Sequence, residues 1–183
     1  MMSNTSVCSV HYIDHVGVAV QDIHAALELF ERVFGTPPAQ VHELADQGVR
    51  ATLIQVGQTR LELLEPLGED TPVGRFIQRR GEGLHHLAFN VSDLPGKLKI
   101  LEQEGLELVD REPREGLSGN IAFIHPRSVV GILTELVEST TNSPGNRDYR
   151  GKRADPRPTG TARPQRAMVK TIGRKQSGDN NHR

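Results

Sequence analysis

Cysteine occurs once in this 183-residue chain, as Cys8, and tryptophan does not occur at all. A lone cysteine excludes an internal disulfide and any cluster of thiolate metal ligands. No apolar run approaches the ~20 residues that a bilayer-spanning helix requires, so a membrane helix is not expected. The opening MMSNTSVCSVHY has neither a cationic start nor an apolar core, which argues against a secretory signal. A soluble cytoplasmic protein is the simplest expectation. Net charge is also nearly absent, at -1, but that average hides an uneven distribution. Residues 140–183 carry 11 Lys and Arg against 3 Asp and Glu, leaving 11 basic and 20 acidic residues in 1–139. This last stretch is rich in Pro, Gly and Arg and has no run that could bury much area, so a disordered basic tail is expected. Its charge suits weak contact with nucleic acid or an anionic surface, but it lacks the aromatic interleaving of a nucleic-acid binder.

What the chain does have is a repeat. His15 opens the alternating run HVGVAV with Asp22 seven residues on, and His86 opens HLAFNV with Asp93 seven residues on. A glutamate follows each histidine inside a later apolar run: Glu62, 47 residues after His15, and Glu135, 49 residues after His86. The first unit reads as a strand over 12–20 and a helix capped by Asp22 and stopped at Gly35. Strands near 39–44, 49–56 and 59–65 follow. The second unit repeats that order: a strand over 85–91, a helix over 94–104, then strands near 106–111, 119–125 and 130–138. In that helix Pro95 is acceptable only in the first turn, while Gly96 lowers propensity. The expected fold is therefore α+β: two paired βαβββ modules, 10–66 and 83–139, forming a curved, cup-like mixed sheet. A linker over 67–82, with a short helix at 71–80, joins them into one domain, 10–139, followed by the tail, 140–183.

Pairing the modules brings His15, Glu62, His86 and Glu135 together near the axis of the repeat. Imidazole nitrogen and carboxylate oxygen suit Co, Mn, Fe, Ni or Zn, and the absence of thiolate disfavours a structural zinc. Any one of these residues alone reads as an ordinary polar group on a half-exposed strand. The matched set of four reverses that reading. Strand alternation places His85 on the face away from His86, and Glu65 on the face away from Glu62, where it reads as solvated. Gln47, in the QGV turn, is a candidate to bind a ligand or substrate. So is Ser128 in the loop HPRSVVG, whose hydroxyl and neighbouring N–H groups could hold a carboxylate.

The stretches IDHVGVAV, DQGVRATLIQVG, TRLELLEPLGEDTPVGRFI and GEGLHHLAFNV resemble the vicinal oxygen chelate superfamily, as does the run from REPREGLSGN to FIHPRSVVGILTELVE. Within it they resemble the methylmalonyl-CoA epimerase family, over residues 12–139. The resemblance implies metal-dependent interconversion of (R)- and (S)-methylmalonyl-CoA through an enolate. It places a divalent metal, cobalt first and manganese, nickel or zinc as alternatives, on His15, Glu62, His86 and Glu135. It also implies that Glu135 is a catalytic base, that the partner is an acyl-CoA, and that the protein is a homodimer. Some family members carry Gln at the position of Glu62, and some carry a second catalytic glutamate where this chain has Ala51. Arg50, Arg60, Arg75, Arg79 and Arg80 are candidates for the phosphates of CoA. The competing readings are a glyoxalase-type lactoylglutathione lyase with the same four ligand types, and a metal-free small-molecule-binding module of the same fold.

Overall fold

A computed structural model describes residues 8–139; the expected tail, 140–183, lies outside the described residues. The elements run β1 (Tyr12–Ala19), α1 (Ile23–Phe34), β2 (His42–Leu44), β3 (Val49–Val56) and β4 (Thr59–Pro66), then α2 (Pro72–Arg80). The second set is β5 (Gly83–Asn90), α3 (Leu94–Gln103), β6 (Arg114–Gly116), β7 (Gly119–Ile124) and β8 (Thr134–Glu138), with a 3-10 turn at Pro126–Ser128. Two βαβββ units thus flank α2. Their strands form one mixed sheet of eight in the order β2-β3-β4-β1-β5-β8-β7-β6. Within each unit the first and last strands run parallel, β1 with β4 and β5 with β8. The units meet through the antiparallel pair β1–β5, the central seam of the sheet. No helix among the described residues is long and apolar enough to cross a membrane.

The helices form where the sequence supplies a start and a stop. Asp22 accepts from the His24 and Ala25 amides at 2.9 and 3.0 Å, and Gly35, at φ 66°, ends α1 in a left-handed conformation that glycine adopts without strain. Asp93 caps α3 through the Gly96 amide at 3.2 Å. A Cβ on Gly96 would lie 2.1 Å from the Asp93 carboxylate, so the residue that weakens helix propensity is the one the cap requires. Each of these helices gains a second carboxylate from the last strand of its own unit. Glu65 of β4 accepts from the Ile23 amide at 2.8 Å, and Glu138 of β8 accepts from the Leu94 amide at 3.3 Å. The expectation that Glu65 is merely solvated is therefore corrected: it fastens α1 to the sheet and also pairs with Arg50 at 2.7 Å.

The apolar core lies mainly between the helices and the convex face. Val20, Ile23, Ile54 and Leu63 bury together with Leu27 and Phe30 of α1. Leu94, Leu98 and Leu101 of α3 bury against Ala122, Ile124 and Leu136. Because strand side chains alternate, Leu63 and Leu136 face the helices while Glu62 and Glu135 face the concave side. The strand expected over 106–111 is absent. Leu108 makes only an isolated bridge to Ile124, and the short β6 forms later, directly after Pro113. The strand expected from 130 begins at Thr134, because the chain first completes the turn at 126–128 with Val130 and Gly131 at positive φ.

Candidate metal centre

Both histidines of the repeat sit in β1 and β5 just after a break in register. Ile13 pairs with Phe89 and His15 with Ala88, so Asp14 is an extra residue on β1; Gly17 pairs with His86 and Val18 with Leu84, so His85 is an extra residue on β5. These are equivalent β-bulges, and a bulge re-aims side chains that strict alternation would send to opposite faces. The expectation for His85 was wrong for this reason: its Nδ1 lies 3.1 Å from Nδ1 of His86, and its ring lines the same cavity.

His15, Glu62, His86 and Glu135 come together, all buried, with one ligand atom from each inside a 4.8 Å group. His15 Nε2 lies 3.1 Å from His86 Nε2, 3.4 Å from Glu62 Oε2 and 3.2 Å from Glu135 Oε2. His86 Nε2 lies 3.4 and 2.9 Å from the same two carboxylate oxygens. Donors bound to one ion at about 2.1 Å stand roughly 3.0 Å apart along octahedral edges and roughly 3.4 Å apart along tetrahedral ones. The five separations match a coordination shell, and the nitrogen-and-oxygen donor set suits a borderline divalent cation.

Electrostatics favour positive charge at this point. Burial alone would lower the His15 pKa, but hydrogen bonds to Asp14, Glu135 and Glu62 reverse that and hold it at about 12. Burial likewise pushes the Glu135 carboxyl up, yet hydrogen bonds to His15 and His86 bring it down to about 2. Without a cation the site holds a proton; a divalent ion supplies the same charge more effectively and releases that proton. The groups behind the histidines differ. Asp14 Oδ1 lies 3.0 Å from His15 Nδ1 and also accepts from Arg60. His85, behind His86, is held neutral near pH 7, its pKa lowered to about 4 by burial and by the neighbouring His86.

The cluster lies on one wall of a cavity of about 310 Å³. Gln47, Val73, His85, Arg114, Ser118 and Phe123 are among its other lining residues. Gln47 donates from Nε2 to the Glu115 carbonyl at 2.9 Å, tying the β2–β3 turn to β6 at the far end of the sheet. Ser128 is not in the lining: its hydroxyl accepts from the Glu107 amide at 2.7 Å and braces the loop before β6. Ala51 is fully buried with Ala19, Val49, Leu64 and Val73, so no carboxylate occupies that point of the concave face. Of the arginines considered, Arg50 pairs with Glu65 and Arg60 with Asp14, whereas the arginine in the lining is Arg114. Sequence reasoning missed Asp14, Arg114 and Ser118. Only Asp14 carried a signal, as the residue matching His85 in the repeat.

Residues 14–123 match the model of the Glyoxalase/Bleomycin resistance protein/Dioxygenase superfamily. The chain is 41% identical over 127 residues to the uncharacterized protein YqjC of Bacillus subtilis, spanning 69% of this chain and 91% of that protein. It is 32% identical over 127 residues to the ethylmalonyl-CoA/methylmalonyl-CoA epimerase of Cereibacter sphaeroides, spanning 68% and 95%. Among solved structures, a variant of Streptomyces coelicolor methylmalonyl-CoA epimerase in complex with 2-nitronate-propionyl-CoA superposes with a TM-score of 0.69 at 34% identity. That match covers 72% of this chain and 99% of that one. Paired βαβββ units, a His and a Glu from each, and this sequence match lead to one conclusion: the chain belongs to the Glyoxalase/Bleomycin resistance protein/Dioxygenase superfamily.

Proposed function

We propose that the protein is a metal-dependent methylmalonyl-CoA epimerase that inverts the α-carbon by proton removal and return. The observation that carries this reading is the buried set of two imidazoles and two carboxylates on the wall of a cavity. In it His15, Glu62, His86 and Glu135 hold a divalent cation, cobalt first and manganese, nickel or zinc as alternatives. When bound, the cation supplies Lewis acidity, offsetting the negative charge that builds on substrate oxygen as the α-proton leaves.

The chain's own residues do the rest. Glu135 is the proposed base: hydrogen bonds to His15 and His86 hold its pKa down at about 2, so it is ionised at neutral pH. Its oxygen is 2.9 Å from His86 Nε2, and Glu62 lies 3.4 Å from the same nitrogen on the other unit of the repeat. Because Ala51 offers no carboxylate, Glu62 is the residue we assign to the opposite face. Val73, Leu117, Ile121 and Phe123 in the lining keep bulk water from the reacting carbon. The glyoxalase-type alternative uses the same ligand types, but the relatives named above as epimerases favour methylmalonyl-CoA over a glutathione adduct. A homodimer and a cytoplasmic location, suited to a chain with one cysteine, complete the proposal.

The test is exchange of the α-proton of methylmalonyl-CoA in heavy water, followed by NMR, with cobalt-loaded and chelated protein. Exchange that requires the metal is the expected result. Its absence from metal-loaded protein would sink the epimerase reading.

A further inference from the structure

We propose that Ser118, in the turn between β6 and β7, is a substrate-binding residue. Its hydroxyl donates a hydrogen bond to an acceptor oxygen of the bound acyl thioester. This rests on the epimerase reading and adds a residue to it.

Ser118 is 4% exposed, its Oγ has no hydrogen-bond partner, and the residue lines the cavity that holds the metal cluster. Buried hydroxyls nearly always find a partner, and one left without is destabilising, so an orphan beside a cavity calls for a reason. A ligand oxygen entering the cavity is such a partner. The chain leading to Ser118 is also held in place. On one side, Gln47 Nε2 donates to the carbonyl of Glu115 at 2.9 Å. On the other, Leu117 packs into the apolar group of Ala19, Val49, Leu64 and Val73 from the first unit. The strap formed by β6 and β7 is thereby fixed across the concave face by contacts immediately before Ser118.

The same strap defines what the hydroxyl would meet. Arg114 lies in the lining with its guanidinium 5.5 Å over the Phe123 ring, and Phe123 in turn is edge-on to the His86 ring at 5.3 Å. A cation and a hydroxyl donor on one hairpin, in a cavity lined also by Val73, Leu117 and Ile121 and by the metal cluster, favour an oxygen that carries negative charge or a strong carbonyl dipole. An acyl thioester with a free carboxylate offers both.

The experiment measures binding of methylmalonyl-CoA and of propionyl-CoA to the cobalt-loaded full chain, for the unmodified protein, Ser118→Ala and Ser118→Thr. Ser118→Ala is expected to weaken binding of methylmalonyl-CoA about tenfold, the size of one hydrogen bond. Its cobalt affinity should be unchanged, and its ligand-free Tm equal or higher because an unsatisfied group is gone. Ser118→Thr, which keeps the hydroxyl, should restore affinity to within a few-fold. A loss confined to methylmalonyl-CoA supports contact with the free carboxylate, while an equal loss for both supports contact with the thioester or the pantetheine amides. Unchanged affinity of Ser118→Ala for both ligands overturns this inference alone. Failure of the unmodified protein to bind either thioester overturns the epimerase reading and this inference with it.

Discussion

Replacing Gly17 with alanine should empty the metal site while leaving the fold intact. Gly17 sits opposite His86 across the β1–β5 seam, and a Cβ built on it would lie 2.2 Å from His86 Cε1, 2.3 Å from Nδ1 and 2.7 Å from Nε2. Ordinary carbon contacts begin near 3.5 Å, so the ring must retreat by roughly 1 Å. It has nowhere close to go: His15, His85 and Phe123 stand edge-on around it with centroids at 5.2, 5.4 and 5.3 Å. A ligand bond tolerates about 0.2 Å of error, so a displacement of that size removes His86 from the shell. Losing an outer partner of a metal ligand costs about 10–100-fold in affinity, and losing the ligand itself should exceed 100-fold. The penalty to folding is smaller, about 1–3 kcal/mol for an overpacked site. Competition with a chromophoric chelator gives the cobalt affinity, and circular dichroism with thermal melting of the metal-free protein gives the fold. Gly68→Ala is the control, since its Cβ meets nothing within 4 Å. Cobalt affinity in Gly17→Ala within threefold of the unmodified protein would refute the reasoning.

Other outcomes follow from the same geometry. Metal affinity should rise with pH by about one log unit per unit between pH 6 and 8, because the cation displaces the proton that His15 holds with a pKa of about 12; titration at three pH values checks the slope. Asp14→Asn removes the leading hydrogen-bonding carboxylate behind that pKa and should bring the pH at which the slope levels off down from about 12, with Arg60 left to seek water. Glu135→Gln should abolish α-proton exchange, at least 100-fold by NMR, while its ligand-free melting curve stays cooperative. In the metal-free protein the His15 pKa is raised from 6.5 to about 12, so its stabilisation is complete below 6.5 and fades as pH rises toward 12. That of Glu135, lowered from 4.5 to about 2, is complete above 4.5 and fades as pH falls toward 2. Chemical denaturation across pH should therefore show the plateau between 4.5 and 6.5.

Much of this arrangement could be read from the chain because a repeat carries more information than a motif. His15 with Asp22 and His86 with Asp93 announced two strands and two capped helices, and each appears. The matching of Glu62 to Glu135 required only the period of a strand to put both on the concave face. What escaped was non-periodic. Strand alternation sends Asp14 and His85 away from the site, and only the bulges bring them back, through register slips that no local residue type announces. Ser118 and Arg114 belong to a hairpin whose first strand was expected near 106–111. The turn there depends on Leu117 packing against Ala19, Val49, Leu64 and Val73 of the first unit and α2 rather than on propensity. Glu65 and Glu138 look like surface carboxylates in sequence; only the packing of α1 and α3 gives them amides to accept from.

The two bulges also cancel each other. Partner numbers across β1–β5 sum to 102 from Tyr12 to Ile13, to 103 from His15 to Gly17, and to 102 again from Val18 to Ala19. One slip alone would leave every residue beyond it paired with the wrong neighbour and would turn Val18 and Ala19 against strangers. Two slips confine the misfit to a three-residue window, and that window contains His15 and faces His86. In a half-length chain pairing with its own copy, a single inserted residue appears on both strands at once, so the compensation needs no second event. The seam can therefore close around the ligands while both of its ends stay in step.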